Sequence, residues 1–372
     1  MLTGQNGILN KAQEAKEKTE IANQDESDKL SSMEAMVQTT GKSIPNPSSY
    51  GENPNAQATA DGTGKYFALP NGAKYLEGTV DTGIVVEIKG SEFVWVPVDD
   101  VVLDTSRTSE LPTGADNGTT NGKTYTPMAV KVDSDYKGLL YEFNENNSYL
   151  KYSNNKNYQG ASFQNREPDI LSTYDGTDLD ITEEKITVEK LSSNYNAMIE
   201  SVLKYKGFYV SRYEAGLDTT TNDIVFKDAS VKKNNVITLN MNNEEINNWY
   251  KLYEKINTFS IPSDNIVSNI IWGSQYDAMI NWMIKTKNNV GISDENKRNE
   301  ENITGKNKND VINNIYDLYG CNFEWTMEAS NNTFRANRGG SSYHNSSPAA
   351  CNGNYPYPNS NALSSRATLY IK

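Results

Sequence analysis

The chain is poor in the residues that most catalytic and metal chemistry needs. Its 372 residues contain one histidine, His344, and two cysteines, Cys321 and Cys351. A four-ligand zinc site made of histidine and cysteine would need one more ligand than these supply. A serine–histidine–aspartate triad would have to use His344, which lies in a polar run with little beside it to orient an imidazole. The two cysteines can pair or stay free, and their spacing leaves that open. Positive charge is also short: 35 Lys and Arg against 48 Asp and Glu give a net charge of −13. That balance excludes a nucleic-acid partner, which needs a basic face. It also disfavours an anionic membrane surface and permits calcium. No run of about 18 apolar residues exists, so no segment of this sequence is built to span a bilayer as a helix.

The hydrophobic fraction is only 36%, with a mean hydropathy of −0.71. The 23 Tyr and 5 Trp make up part of that deficit, because each buries a large area that hydropathy scales underrate. A core is therefore expected, with the surplus polarity in long loops. The length allows one large domain or two modest ones.

Residues 8 to 36 carry Ile8, Ala12, Ala15, Ala22, Leu30, Met33 and Met36 near helical spacing, which predicts a thin-striped helix over a stem of residues 1–38. Residues 40–65 are rich in Pro, Asn, Ser and Gly and show no period, so 39–75 is expected to be a linker. Residues 83–88 and 92–98 read as strands joined by a Lys89-Gly90 turn. Residues 104–190 are loop-heavy, with an Asn-rich 143–157 and an acidic 174–184. Three helices are expected next. The first runs from 194 to 206, ending at Gly207; the second starts after Asn243, with Glu244 and Glu245 in its first turn and Ile246, Trp249, Tyr253 and Ile256 inward. The third carries Tyr276, Met279, Ile280, Met283 and Ile284. No internal repeat is found.

Gly122-Lys123-Thr124 matches the end of a phosphate-binding loop, but Asn117 stands where the first glycine is needed and no apolar strand precedes it, so it reads as a polar turn. Residues 207–216 alternate like a buried strand, with Arg212 and Glu214 expected to pair on one face. The last fifty residues are the most informative. Asn322-Phe323-Glu324-Trp325-Thr326 and Arg338-Gly339-Gly340-Ser341 lead into a run of Asn, Ser, Tyr, His, Gly and Pro. Residues 366–372 then alternate like a strand. A polar run dotted with aromatics and held between ordered anchors has the composition of a binding surface.

Four segments in order resemble the formylglycine-generating-enzyme/sulfatase-modifying-factor family. They are Gly207-Phe208-Tyr209-Val210-Ser211-Arg212-Tyr213-Glu214, then Trp272 to Ala278, then Asn314-Ile315-Tyr316-Asp317-Leu318-Tyr319-Gly320-Cys321-Asn322-Phe323-Glu324-Trp325-Thr326, and last Arg338 to Ser341. The resemblance implies an α+β, C-type-lectin-like fold of the formylglycine-generating-enzyme type over 76–372, loop-rich, with an insertion at about 104–190 and a binding loop at 341–365, preceded by an N-terminal helix. Met1-Leu2-Thr3-Gly4-Gln5-Asn6-Gly7-Ile8-Leu9 resembles the segment that follows the membrane helix of type IV pilin-like proteins. This implies an upstream hydrophobic helix as the only route to a membrane, and a cell-surface or extracellular location.

Enzymes of the family hold copper with two cysteines a few residues apart after the Arg-Gly-Gly-Ser motif. Here only Cys351 lies in that region, and soft thiolates are what select copper. An oxidase is therefore the disfavoured alternative. Some members ligate structural calcium through an Asn-x-x-Glu spacing; here that Asn is Cys321, a poor ligand for a hard cation, which leaves Glu324 as the candidate. Non-enzymatic relatives include the variable proteins of diversity-generating retroelements, whose varied residues fall between Arg-Gly-Gly-Ser and the last strand. That resemblance assigns ligand binding to Ser342, Tyr343, His344, Asn345, Ser346, Ser347, Asn352, Asn354, Tyr355, Tyr357, Asn359 and Asn361. The implied partner is a protein or a glycan at a cell or phage surface. The runner-up is a phage receptor-binding protein with the same domain.

Overall fold

The computed structural model describes residues 55–98, 204–240, 248–286, 294–329, 335–344, 351–354 and 362–372, with shorter pieces between them. The expected stem at 1–38, the first part of the linker and most of 104–190 lie outside the described residues.

In chain order the strands are β1 (Ala56–Ala60), β2 (Tyr66–Pro70), β3 (Lys74–Glu77), β4 (Val85–Ile88), β5 (Ser91–Pro97), β6 (Thr119–Thr120), β7 (Lys123–Thr124), β8 (Gly207–Ser211), β9 (Gly216–Asp218), β10 (Ile224–Val225), β11 (Val236–Thr238), β12 (Ile266–Ile270), β13 (Val311–Ile312), β14 (Ile315–Tyr316), β15 (Phe323–Ala329), β16 (Arg335–Arg338), β17 (Cys351–Asn354), β18 (Leu363–Ser365) and β19 (Ala367–Ile371). Among the described residues the α-helices with defined bounds are α1 (Trp249–Asn257) and α2 (Gly273–Lys285). The architecture is α+β, mostly sheet with few helices.

A six-stranded sheet of order β12-β19-β8-β5-β4-β3 is antiparallel throughout. Two of its inner strands, β8 and β19, are buried at every residue. The β4–β5 hairpin turns at Lys89 and Gly90, both at positive φ (49° and 69°) as a two-residue type I′ turn requires. Aromatic edges fill the core. Trp95 meets Tyr209 at 5.0 Å, and Phe93, Phe226 and Phe259 meet one another at 5.3–5.4 Å. A second sheet has order β17-β16-β15-β18, in which β18 runs parallel to β15 and the other pairs are antiparallel. A small third sheet has order β10-β9-β11.

Helix α1 buries Trp249, Tyr250, Leu252, Tyr253 and Ile256, a stripe at helical spacing that packs against β12. It starts at Asn248, whose side chain accepts the Lys251 N–H at 2.9 Å. This cap lies five positions after Asn243, later than the expected start, and the expected first-turn residues Glu244 and Glu245 lie outside the described residues. The described residues between 194 and 205 are helical, and α2 covers the third expected helix.

Two other expectations change. Residues 56–70, read as linker, form the β1–β2 hairpin, with Phe67 and Ala68 buried and the Tyr209 hydroxyl donating to the Ala68 carbonyl at 2.7 Å. Arg212 and Glu214 do not pair. The strand ends at Ser211, so the two side chains part: Arg212 bridges Glu77 (2.9 Å) and Glu92 (2.8 Å), while Glu214 turns inward.

Candidate functional site

The Arg338-Gly339-Gly340-Ser341 segment leaves β16 through a bend that only glycine fits. A Cβ on Gly340 would stand 2.0 Å from the Tyr319 carbonyl oxygen. A tight turn follows. Ser341 N–H donates to the His344 carbonyl (3.0 Å), and Ser341 Oγ accepts the N–H groups of Tyr343 (3.3 Å) and His344 (3.1 Å). Such hydroxyl-to-backbone bonds stabilise a local turn over regular structure. Ser342 N–H donates to the Cys321 carbonyl at 2.8 Å, which ties the turn to the start of β15. The His344 ring lies over Phe323, 6.1 Å between centroids at 26°.

Beyond the turn the chain is anchored again. The Tyr276 hydroxyl of α2 donates to the Pro348 carbonyl at 2.9 Å. β17 then pairs with β16 in the register Arg338↔Cys351 to Arg335↔Asn354. The two arginines of β16 are buried against aromatic faces: Arg338 lies 5.3 Å from the Tyr276 ring, and Arg335 lies 5.2 Å from Trp249 and bonds the Tyr250 hydroxyl at 3.1 Å.

Of the predicted ligand-binding residues, Tyr343 is 56% exposed and His344 is exposed beside it. Ser346 and Asn354 are half-buried. Asn352 is placed by its backbone in β17, opposite Asn337. Ser342 is corrected: it is buried, and its backbone belongs to the frame. The far end of the expected loop is corrected as well, because Leu363, Ser364 and Ser365 are buried in β18 against β15. Asn345, Ser347, Tyr355, Tyr357, Asn359 and Asn361 lie outside the described residues.

Beneath the turn sits a buried ionic frame. Arg366, wholly buried, donates from Nε to Glu324 Oε1 at 3.0 Å, from Nη1 to the Ser211 carbonyl at 2.7 Å and from Nη2 to the Tyr316 carbonyl at 2.7 Å. Nη2 also bonds Glu324. One guanidinium therefore joins β8, β14 and β15. Glu214 accepts the Asn322 N–H at 3.0 Å and the Asn322 side-chain amide at 2.7 Å. Asp317 accepts from Thr304 (2.6 Å), Gly305 N–H (2.7 Å) and Asn299 (2.9 Å). Asp310 accepts from the N–H groups of Leu318, Tyr319 and Gly320. Glu324, Glu214 and Asp317 thus all act on one buried arginine, and Asp310 lies near Asp317. Burial pushes Glu214 well above the usual carboxylate range, and the charges of Asp317 and Glu324 push it further. Asp310 is held up by burial and by Asp317, and Asp317 and Glu324 are raised chiefly by burial.

The candidate calcium ligand Glu324 has its Oε1 met by Arg366 Nε and Nη2, while its Oε2 is buried without a hydrogen-bond partner among the described residues; the Asn position of the calcium spacing carries the soft sulfur of Cys321. Among the described residues no three His, Cys, Asp or Glu side chains are grouped to hold a metal. Cys321 is a free, buried thiol, so it does not pair with Cys351, and burial and Glu214 push its thiol pKa up, away from the thiolate that copper needs.

Comparison with protein-family models, with curated proteins and with solved structures returned no match to this chain. The chemistry of the site therefore rests on its own geometry. That geometry presents side chains outward from a fixed turn. Three contributors were not anticipated: Ser341 as the hydroxyl of the turn, Phe323 as the platform for His344, and Tyr276 as the anchor of Pro348. Only Ser341 carried a signal, a Ser followed by Asn- and Ser-rich residues after a double glycine.

Proposed function

We propose that the chain is a non-enzymatic, adhesin-like binding protein whose contact surface is centred on Tyr343 and His344. The fold assigned to it is C-type-lectin-like, of the formylglycine-generating-enzyme type, and its C-terminal segment is a diversified loop of the retroelement kind. On this reading the protein is displayed at a cell surface on a pilin-like stem and binds a protein or a glycan.

One observation carries the reading. Among the described residues only Ile237 and Tyr343 are large apolar side chains left exposed, and Tyr343 is the more exposed of the two. It is held by backbone bonds on both sides, so little entropy is lost when it is covered. Anchoring by β15, β16, β17 and α2 lets the side chains of the turn change without cost to the core. No helix among the described residues is long and apolar enough to cross a membrane, so display would depend on another segment.

The test is to sequence the 3′ end of the gene from many cells of one lineage. Substitutions confined to adenines in the codons of 342–361, with unchanged flanks, are expected. An invariant segment would end the diversification reading. A parallel test replaces Tyr343 and His344 with alanine and measures adhesion to target cells; unchanged adhesion would remove this surface from the binding role.

A further inference from the structure

A cleft of about 400 Å³ opens between three elements that the proposed surface does not use. They are the β4–β5 turn, the β9–β10 hairpin and the C-terminal end of α1. Its floor is apolar, with Ile224 and Phe259 buried. Its walls carry both signs of charge: Lys89 and Lys227 on one hand, Asp218 and Asp223 on the other.

The four charges are unequally committed. Lys89 Nζ reaches the carbonyls of Phe259 (3.5 Å) and Ser260 (3.4 Å) and lies 5.5 Å from the Phe259 ring centroid. Asp218 accepts the N–H groups of Thr220 (2.8 Å) and Thr221 (3.2 Å), which hold the hairpin turn and keep the carboxylate ionised by lowering its pKa. Asp223 makes no side-chain hydrogen bond or ion pair among the described residues, and Lys227, whose ammonium lies beside the turn at Gly90, makes no direct bond and acts on Asp218 only through its charge. Both line the cleft. Lys255 Nζ of α1 bonds the Asn222 carbonyl at 2.9 Å, which ties the helix to the β9–β10 hairpin. The walls are thus fixed by backbone bonds, while one carboxylate and one ammonium remain available over an apolar floor.

We propose that this cleft binds a small zwitterion with an apolar side group, of the amino-acid class. The ligand's carboxylate meets Lys227, its ammonium meets Asp223, and its side chain covers Ile224 and Phe259. A neutral sugar would leave the two charges uncompensated; a simple anion or cation would meet one like charge for each opposite one. The volume lies at the low end for small-molecule sites, in keeping with a ligand of this size. The inference does not depend on the function proposed above.

The full chain is titrated with L-phenylalanine by calorimetry and by amide NMR. Saturable binding with shifts at Gly90, Asp223 and Phe259 is expected. Phenylalaninamide, which lacks the carboxylate, and N-acetylphenylalanine, which lacks the ammonium, should each bind at least about tenfold more weakly, the loss expected for one charge-assisted bond. Asp223→Asn and Lys227→Met should weaken phenylalanine by a similar factor. Both positions lie outside the buried core, and an unchanged melting curve checks their folding. Tyr343→Ala should leave this binding intact. Equal affinity for the three ligands, saturable binding of glucose in place of phenylalanine, or no binding at all would each overturn the proposal.

Discussion

The two main sheets are filled with different chemistry. The six-stranded sheet buries Phe93, Val94, Trp95, Val96, Tyr209, Val210 and Leu369 and buries no charged residue of its own. The four-stranded sheet buries Glu324, Arg335 and Arg338 within β15 and β16, with Arg366 beside them. An apolar sheet tolerates replacement by residues of like size. A buried charge must be met by the right partner at the right place, because an unpaired one is costly. The second sheet, which carries the Tyr343 turn, therefore trades tolerance for position. Its frame is expected to be the least mutable part of the fold and the turn above it the most.

The largest effect should come from Arg366→Met, which leaves Glu324 buried without its cation and frees the Ser211 and Tyr316 carbonyls. A loss of about 3–5 kcal/mol is expected in urea denaturation. A loss under about 1 kcal/mol would mean that the pair contributes nothing beyond packing. Gly340→Ala should follow, at about 1–3 kcal/mol from overpacking against the Tyr319 carbonyl. A variant as stable as the parent would show that this bend relaxes freely.

The third test is a slope rather than a step. Glu214, Asp310, Asp317 and Glu324 have raised pKa values in the folded chain. The folded state therefore holds protons that the unfolded chain has released. Their contribution to stability is present below the ordinary carboxylate range, roughly pH 4, and is lost as the pH rises toward the folded values. Denaturation midpoints should fall as the pH rises above about 4, and Glu214→Gln should flatten that fall; parallel curves for the two proteins would refute the assignment to Glu214. The smallest effect belongs to the turn. Tyr343→Ala should change stability by no more than about 0.5 kcal/mol, as for other exposed positions. A larger loss, read from the same midpoints, would make Tyr343 part of the frame and not of the surface.

Local periodicity predicted the elements that satisfy themselves locally. The β4–β5 hairpin announced its turn with Lys89-Gly90 between two apolar runs, and the stripes of α1 and α2 stood out. What was missed depended on contacts far along the chain. The β1–β2 hairpin alternates mainly through alanines, too weak a signal to separate from a linker, and is fixed by Tyr209, 141 positions from Ala68. The spacing of Arg212 and Glu214 implied a shared face, but the strand stops before them, and their partners come from β3, β5 and Asn322. Ser342 has the composition of a surface residue. Its burial follows from one backbone bond to Cys321, which composition cannot encode.

The last strand is also a ruler. At its far end the Asn55 side chain donates to the Lys372 carbonyl at 2.7 Å and accepts from Asn265 at 2.9 Å, so Asn55 sits against Lys372. At its near end Arg366 grips Glu324, within three residues of the carbonyl that holds Ser342. Five residues at about 3.3 Å each separate the two ends by some 17 Å. Asn55 thus pins the end of β19 that lies away from the Arg366 frame beneath the Tyr343 turn.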